Sequence, residues 1–374
     1  MQTNHTEIKK YVCFGNTELI EAMSLIDSNT VGLVYVLDSN ESLVGCLTDG
    51  DIRRFIIKNG DLNAAAKEAM NLAPKFIKES EASQAIEIMK KERIYSLAVV
   101  DDAMVIKDIV FLEEFLKIRK GEREGNEILK DTSAIIMAGG KGTRLYPYTR
   151  ILPKPLIPIG DVPILERIFN RLSSYGIVDI YLTVNYKKEM IKSYFSESDH
   201  PYRIHYVEED QPMGTAGSIS LIEEKFDKPV IITNCDILIE ADYGNMMKYH
   251  LESGNDITIV SSLKNTVIPY GVLHSDEPGQ ITSMEEKPQI THLINTGMYI
   301  INPEFLEWIP KDRVFHMTDL VELMIQKKKH VGMYPISENA FLDMGELEEM
   351  KKMEERLMRE DRNLPDARNS YSGD

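Results

Sequence analysis

Residues Ala138-Gly139-Gly140-Lys141-Gly142-Thr143-Arg144-Leu145, with Pro147 and then Pro153-Lys154-Pro155-Leu156 behind them, have the types and spacing to hold an anion. Closely spaced glycines let backbone N–H groups close around a phosphate as a concave nest. Arg144 and Lys154 add two cations to that nest. Two familiar phosphate loops do not fit. A Walker A loop needs Gly-Lys followed by Ser or Thr, whereas here Lys141 precedes Gly142, and a dinucleotide fingerprint needs a glycine where Leu145 stands.

An apolar strand over residues 134–137 must carry this loop. Beyond it, apolar β-runs at 179–184, 203–207 and 230–234 alternate with helical stretches at 187–195, at 216–224 and up to Gly254. Such alternation predicts an α/β, Rossmann-like, mostly parallel sheet covered on both faces. Ligands of such sheets bind outside the carboxyl ends of the strands. Asp236, after Val230-Ile231-Ile232-Thr233-Asn234-Cys235, stands at one such end, and Asp343, in Phe341-Leu342-Asp343-Met344-Gly345, at another.

The ordered pair GGxGTRLxPxT and PKPLxPI, including Thr149 and Ile159, resembles the signature of the sugar-1-phosphate nucleotidyltransferases over about residues 133 to 358. That resemblance implies attack of a sugar-1-phosphate oxygen on the α-phosphorus of a nucleoside triphosphate, with Arg144, Lys154 and Lys287 as the catalytic cations. It assigns Ala138, Gly139, Gly140, Gly142, Thr143, Gly214 and Thr215 to the nucleotide, the last two in the Gly-Thr-Ala-Gly element that faces the base. Gly271, Glu286 and Asn295 fall to the sugar phosphate, and Asp236 and Asp343 to Mg²⁺, a cation that takes one or two carboxylates plus substrate phosphates.

The first third contains an internal repeat. At an offset of 63 residues Thr17-Glu18 aligns with Ser80-Glu81, Ala22-Met23 with Ala85-Ile86, and Val36-Leu37-Asp38 with Val99-Val100-Asp101. Each copy reads as helix, β-run ending in Asp, turn, β-run and helix. Neither copy buries its sheet face alone, so the two must pack as one domain. The pattern resembles a tandem pair of CBS repeats, a module that senses adenine nucleotides. In that family a Gly-x-x-Thr-x-x-Asp turn meets the ligand. The first copy keeps it as Gly45, Thr48 and Asp51, while the second has Asp108, Phe111 and Glu114, so one adenine-nucleotide site at most is expected.

The organisation predicted is therefore a CBS pair over 1–120, a charged linker over 121–132, the transferase domain over 133–358 and a polar tail over 359–374. A net charge of -17 argues against nucleic acid or an anionic membrane surface as partner. The polar start of the chain and the lack of a long apolar run predict a cytoplasmic protein. The three cysteines are too scattered for disulfides or zinc and read as small buried side chains, and His200 with His205 reads as loop surface. An N-terminal CBS pair on a short transferase domain looks like the guanylyltransferases of bacterial nonulosonate synthesis. That implies GTP and glucosamine-1-phosphate as substrates, GDP-glucosamine for legionaminic acid as product, and a homo-oligomer formed through the CBS pair. Mannose- or heptose-1-phosphate guanylyl transfer, or another NDP-sugar pyrophosphorylase that uses UTP, CTP or dTTP, is the alternative within the class. A nucleotide-sensing regulator with an inactive transferase domain is the alternative outside it.

Overall fold

The computed structural model describes residues 8–111 and 127–362, apart from 30–31, 62, 93, 95, 198, 277–278 and 312. The helix expected after the second repeat, with Glu114, lies outside the described residues, as do 363–374. Contacts divide the chain into two units, and the division is discontinuous. Unit 1 holds residues 1–123, 261–294 and 335–340, and unit 2 holds 124–260, 295–334 and 341–374.

Unit 1 repeats itself down to single atoms. Strand β1 (Val12–Phe14) runs parallel to β2 (Leu33–Leu37), which is antiparallel to β3 (Leu43–Thr48). Helix α1 (Leu19–Ser28) precedes β2 and α2 (Asp49–Asn59) follows β3. The second copy gives β4 (Phe76–Lys78), α3 (Ala85–Glu92), β5 (Ser96–Val100) and β6 (Ile106–Phe111) with the same pairing senses. The register slips between Val36 and Leu37 in one copy and between Val99 and Val100 in the other. Asp38 Oδ1 accepts the N–H groups of Asn40 and Ser42 at 2.9 Å, as Asp101 Oδ1 accepts those of Ala103 and Val105. Glu41 and Met104 share the left-handed backbone, with φ of 60° and 64°. The later strands, the bulges, the Asp turns and the left-handed residues all obey the 63-residue offset, while β1 and β4 are related by 64.

The copies share one core, in which Tyr35, Leu37 and Leu43 meet Ala98, Val100 and Ile109. The first copy also packs its helices, through Leu19, Met23, Ile52 and Ile56, around Leu263 and against Leu293. Arg53 Nε donates to the Pro335 carbonyl at 3.0 Å. The same unit contains a hairpin, Gly271–His274 paired with Ser283–Glu286.

Unit 2 is built on β7 (Ala134–Ala138), α4 (Ile164–Ser173), β8 (Asp179–Val184), α5 (Lys188–Ser196), β9 (Arg203–Glu208), β10 (Val230–Asn234), β11 (Ile237–Ile239) and α6 (Tyr243–Glu252). Then come the unit 2 portions of β12 (Ile257–Val267), β13 (Gln289–Ile301) and β14 (Val331–Ile336), whose residues 261–267, 289–294 and 335–336 count with unit 1, together with α7 (Met317–Gln326), β15 (Phe341–Asp343) and α8 (Leu347–Arg362). The main sheet has the order β9-β8-β7-β10-β13-β12-β14. Its first four strands are parallel, and β13 is antiparallel to β10. All of β7 is buried, as a strand covered on both faces requires. Ile135, Met137 and Ile232 face one layer that includes Leu320 and Met324 of α7. No helix among the described residues is long and apolar enough to cross a membrane.

Several local expectations need correction. The stretch expected as helix over 216–224 is one helical turn, Gly214–Gly217, followed by a 3-10 turn, Ser218–Leu221. The Phe315 carbonyl takes the N–H groups of both Ala216 and Gly217 at 3.0 Å, which ties the turn to a distant segment. His205 lies on β9, stacked on Tyr181 and bonded to Asp179, and the half-buried His200 stacks on Tyr202. Residues 127–132, expected as linker, are built into unit 2 through fully buried Leu129, and α8 continues to Arg362, into the expected tail. The three cysteines are buried and free, and burial pushes their thiols up, that of Cys235 to about 12.

Candidate functional site

The phosphate loop leaves the end of β7 and is closed by its own second motif. Gly142 sits at φ +64°, where a side chain would lie 2.9 Å from Thr149 Cγ2 and 3.0 Å from Lys154 Cβ. Thr149 Oγ1 donates to the Gly142 carbonyl at 2.9 Å. The glycine loop and the Pro-Lys-Pro segment are thus one object, which explains why both stand in fixed order. Around Gly140 there is open space, and Lys141, Thr143 and Arg144 are exposed. This is room in which backbone N–H groups can meet an anion.

Lys154 is 9% exposed and forms an ion pair with Asp236, which follows β10. Asp343 ends β15, opposite Ile237, and the Met344 N–H donates to the Asp236 carbonyl oxygen at 3.0 Å. Two carboxylates and a lysine far apart in sequence therefore converge. Burial pushes the Asp343 carboxyl up, and the neighbouring Asp236 charge adds to this. The Gly345 N–H, Lys154 and Arg144 oppose the rise. Asp343 is thus within electrostatic reach of two of the three expected cations, Lys154 and Arg144. No group of three or more Asp, Glu, His or Cys side chains that could hold a metal occurs among the described residues. A two-carboxylate set suits a hard cation that fills its other positions with water and phosphate.

Gly214 has φ +84°, and a side chain there would stand 2.5 Å from the Phe315 carbonyl oxygen. Thr215 does not cap its own turn. Its Oγ1 accepts the Met317 N–H at 3.0 Å, at the start of α7. Asn295 donates to the Tyr299 hydroxyl at 2.7 Å and accepts the Gly297 N–H, and a side chain at Gly297 would overlap Asn234. The Asn-Thr-Gly segment therefore sits beside the strand end that carries Asp236. Gly271, Glu286 and Lys287 lie together on the hairpin of unit 1. There a side chain at Gly271 would come 3.0 Å from Glu286 Oε2, and the Lys287 N–H donates to the Tyr270 carbonyl.

Sequence reasoning missed Glu209. It is 5% exposed, its Oε2 accepts the Met213 N–H at 3.2 Å, and its Oε1 occupies the space that a side chain at Gly139 would need. It joins the phosphate loop to the Gly-Thr-Ala-Gly turn. Burial holds its carboxyl above the usual range, against the hydrogen bond from the Met213 N–H and the nearby Ser218 hydroxyl. The folded state thus keeps this proton more tightly than the unfolded chain. The stability this group confers is present at low pH and is lost as pH rises through the raised value. Glu209→Gln is therefore expected to raise the melting temperature near neutral pH, with the gain shrinking toward about pH 4. Scanning calorimetry of both proteins across that range checks it.

In unit 1, a side chain at Gly45 would lie 2.6 Å from Met70 Sδ, so the glycine admits the Met70-Asn71 segment. Thr48 and Asp51 form a capping box at the start of α2, with Asp51 N–H to Thr48 Oγ1 at 3.2 Å and Thr48 N–H to Asp51 Oδ2 at 2.9 Å. Thr48→Ala is expected to cost about 1 kcal/mol, read as a lower first transition in thermal unfolding.

Comparison with known proteins accords with these two regions. The model of the nucleotidyl transferase family matches residues 133–360, and that of the CBS domain matches residues 8–58. The chain is 31% identical over 222 residues to a mannose-1-phosphate guanyltransferase of Debaryomyces hansenii, covering 57% of this chain and 60% of that protein. It is 32% identical over 203 residues to a UTP–glucose-1-phosphate uridylyltransferase of Synechocystis sp., covering 49% and 52%. The chain thus spans about 50–60% of the length of these curated relatives. Among solved structures, HddC from Yersinia pseudotuberculosis complexed with GMP-PN is 29% identical with a TM-score of 0.46, covering 60% of this chain and 99% of that one.

Proposed function

The chain belongs to the nucleotidyl transferase family, and from that premise we propose that it couples a sugar 1-phosphate to GTP, giving a GDP-sugar and pyrophosphate. The observation that carries this is the convergence of Lys154, Asp236 and Asp343 beside the glycine loop. The guanine preference draws on relatives named mannose-1-phosphate guanyltransferase.

A sugar-phosphate oxygen attacks the α-phosphorus. One O–P bond forms there, the bond to the β-phosphate oxygen breaks, and pyrophosphate leaves with the electron pair. The nucleophile is already an anion, so no general base is required, and rate comes from positioning and charge neutralisation. The exposed Arg144 and the N–H groups around Gly140 meet the leaving pyrophosphate. Lys154, held against Gly142, offers its ammonium between the phosphates and Asp236. By the family resemblance Glu286 and Asn295 take sugar hydroxyls and Lys287 the sugar's phosphate. Asp236 and Asp343 fit Mg²⁺: burial first and the neighbouring Asp236 charge second disfavour the Asp343 carboxylate, and a divalent cation would offset both. When bound, Mg²⁺ supplies Lewis-acid neutralisation of the α-phosphate.

Glucosamine-1-phosphate is the first sugar substrate proposed, on the domain order, which points to legionaminic acid synthesis. Mannose-1-phosphate is the second reading, favoured by the names of the relatives. Pyrophosphate release across GTP, UTP, CTP, ATP and dTTP against these sugars, glucose- and N-acetylglucosamine-1-phosphate tests both. Silence across the grid would favour the regulatory alternative. A change of rate or of oligomeric state on adding AMP or ATP would support a nucleotide at Gly45, Thr48 and Asp51 and self-association through the CBS pair.

A further inference from the structure

The two halves of the phosphate signature are joined by a single helical turn, Tyr148–Ile151. Within it the Arg150 and Leu152 N–H groups reach back to the Pro147 and Tyr148 carbonyls. To continue the ladder, the Thr149 and Ile151 carbonyls would need N–H donors four residues on, and positions 153 and 155 are both proline. The Pro-Lys-Pro motif thus strips the turn before it of donors, and those carbonyls must be met from elsewhere.

The donors come from the end of β8. The Tyr186 hydroxyl donates to the Thr149 carbonyl at 3.3 Å, and Lys187 Nζ donates to the Arg150 and Ile151 carbonyls at 2.6 and 2.5 Å. A cation there also faces the negative end of the turn. The Lys187 backbone stands at φ 54° and ψ 36°, a left-handed conformation that glycine adopts freely and other residues only at a cost. What glycine would lack at this position is a donor with reach. The turn that Lys187 holds contains Thr149, whose Oγ1 closes the loop on the Gly142 carbonyl, and it lies in sequence between Arg144 and Lys154. A shift of the turn therefore moves both cations assigned to the triphosphate.

We propose that Lys187 is a positioning residue for nucleotidyl transfer: its ammonium, fixed on two carbonyls, sets the placing of Arg144 and Lys154 without touching the substrate. This inference rests on the nucleotidyl-transfer reading above, whichever base and sugar prove correct.

The test uses the full chain with its most productive nucleotide and sugar phosphate. Lys187→Gly suits the left-handed backbone while removing the donor, so its melting temperature is expected to stay within a few degrees of wild type. Its kcat/KM for the nucleotide is expected to fall roughly 10- to 100-fold, the scale of a small misplacement of catalytic groups. Both a lower kcat and a higher nucleotide KM contribute, while KM for the sugar phosphate changes little. Lys187→Arg, which keeps the charge and offers N–H donors, is expected to recover most of the loss. Wild-type kcat/KM in Lys187→Gly overturns the proposal. So does an equal loss in the Gly and Arg variants, or a lowered melting temperature with KM raised alike for both substrates, because Lys187 would then serve the fold alone. A wild type that releases no pyrophosphate with any nucleotide overturns the nucleotidyl-transfer reading itself, and is seen before any variant is made.

Discussion

Replacing Asp236 with Asn is expected to lower kcat/KM by roughly 10³-fold or more, since several kcal/mol of charge neutralisation at the α-phosphate are at stake. The substitution keeps the shape of the side chain and removes its charge. Asp236 is where the end of β10, the Lys154 ammonium and the Asp343 segment meet. With Asn there, Lys154 loses its anionic partner and Asp343 becomes the only carboxylate for Mg²⁺. The backbone bond from Met344 is untouched, so the fold is expected to survive, with a change in melting temperature of a few degrees. Pyrophosphate release and thermal unfolding of the same sample separate the two effects. A variant within tenfold of wild-type, Mg²⁺-dependent turnover would remove Asp236 from the site.

Gly214→Ala is expected to be among the most destabilising single changes in unit 2, at about 3 kcal/mol. A non-glycine residue in the left-handed region costs roughly 1–2 kcal/mol, and here the added carbon meets the backbone at 2.5 Å from the Phe315 oxygen and 3.1 Å from its nitrogen. That backbone cannot turn aside as a flexible side chain would. It accepts Ala216 and Gly217 N–H groups and donates to the Met213 carbonyl at 2.8 Å. Gly140→Ala supplies the contrast, because its added carbon would find nothing within 4 Å. Stability there is expected to change by less than about 0.5 kcal/mol, while KM for the nucleotide rises because a methyl group enters the phosphate nest. Urea unfolding gives the first quantity and steady-state kinetics the second. If Gly140→Ala left KM unchanged, the loop would not be the phosphate site.

The strands at Asp179–Val184 and Val230–Asn234 were legible to the residue, because a strand buried on both faces is an unbroken apolar run. The repeat was equally legible. Its physical basis became visible only in the bulges at Val36 and Val99 and the matching turns at Asp38 and Asp101. What could not be read depends on contacts between distant residues. Thr215 caps a helix that starts 102 residues later. Glu209 is flanked by Glu208 and Asp210, and nothing in the run Glu-Glu-Asp says which side chain turns inward. Glu208 is held outside by Lys188 and Lys192, which draw its carboxyl down to about 2. Glu209 is turned in one residue beyond β9, where its N–H donates to the Val184 carbonyl. Gly139 becomes informative only in the structure, where its backbone is not left-handed and the Glu209 carboxylate fills the space a side chain would need.

The interleaved make-up of unit 1 bears on how this chain can be taken apart. Leu263 is enclosed by Leu19, Met23, Ile52 and Ile56, with Leu293 alongside, and the Pro335 carbonyl is held by Arg53. The N-terminal module has thus ceased to be a detachable cassette, whatever its origin as an added piece. A truncation that removes residues 1–123 would strip the hydrophobic cover from Leu263 and Leu293, and the remaining protein is expected to come out of cells insoluble unless both leucines are made polar at the same time.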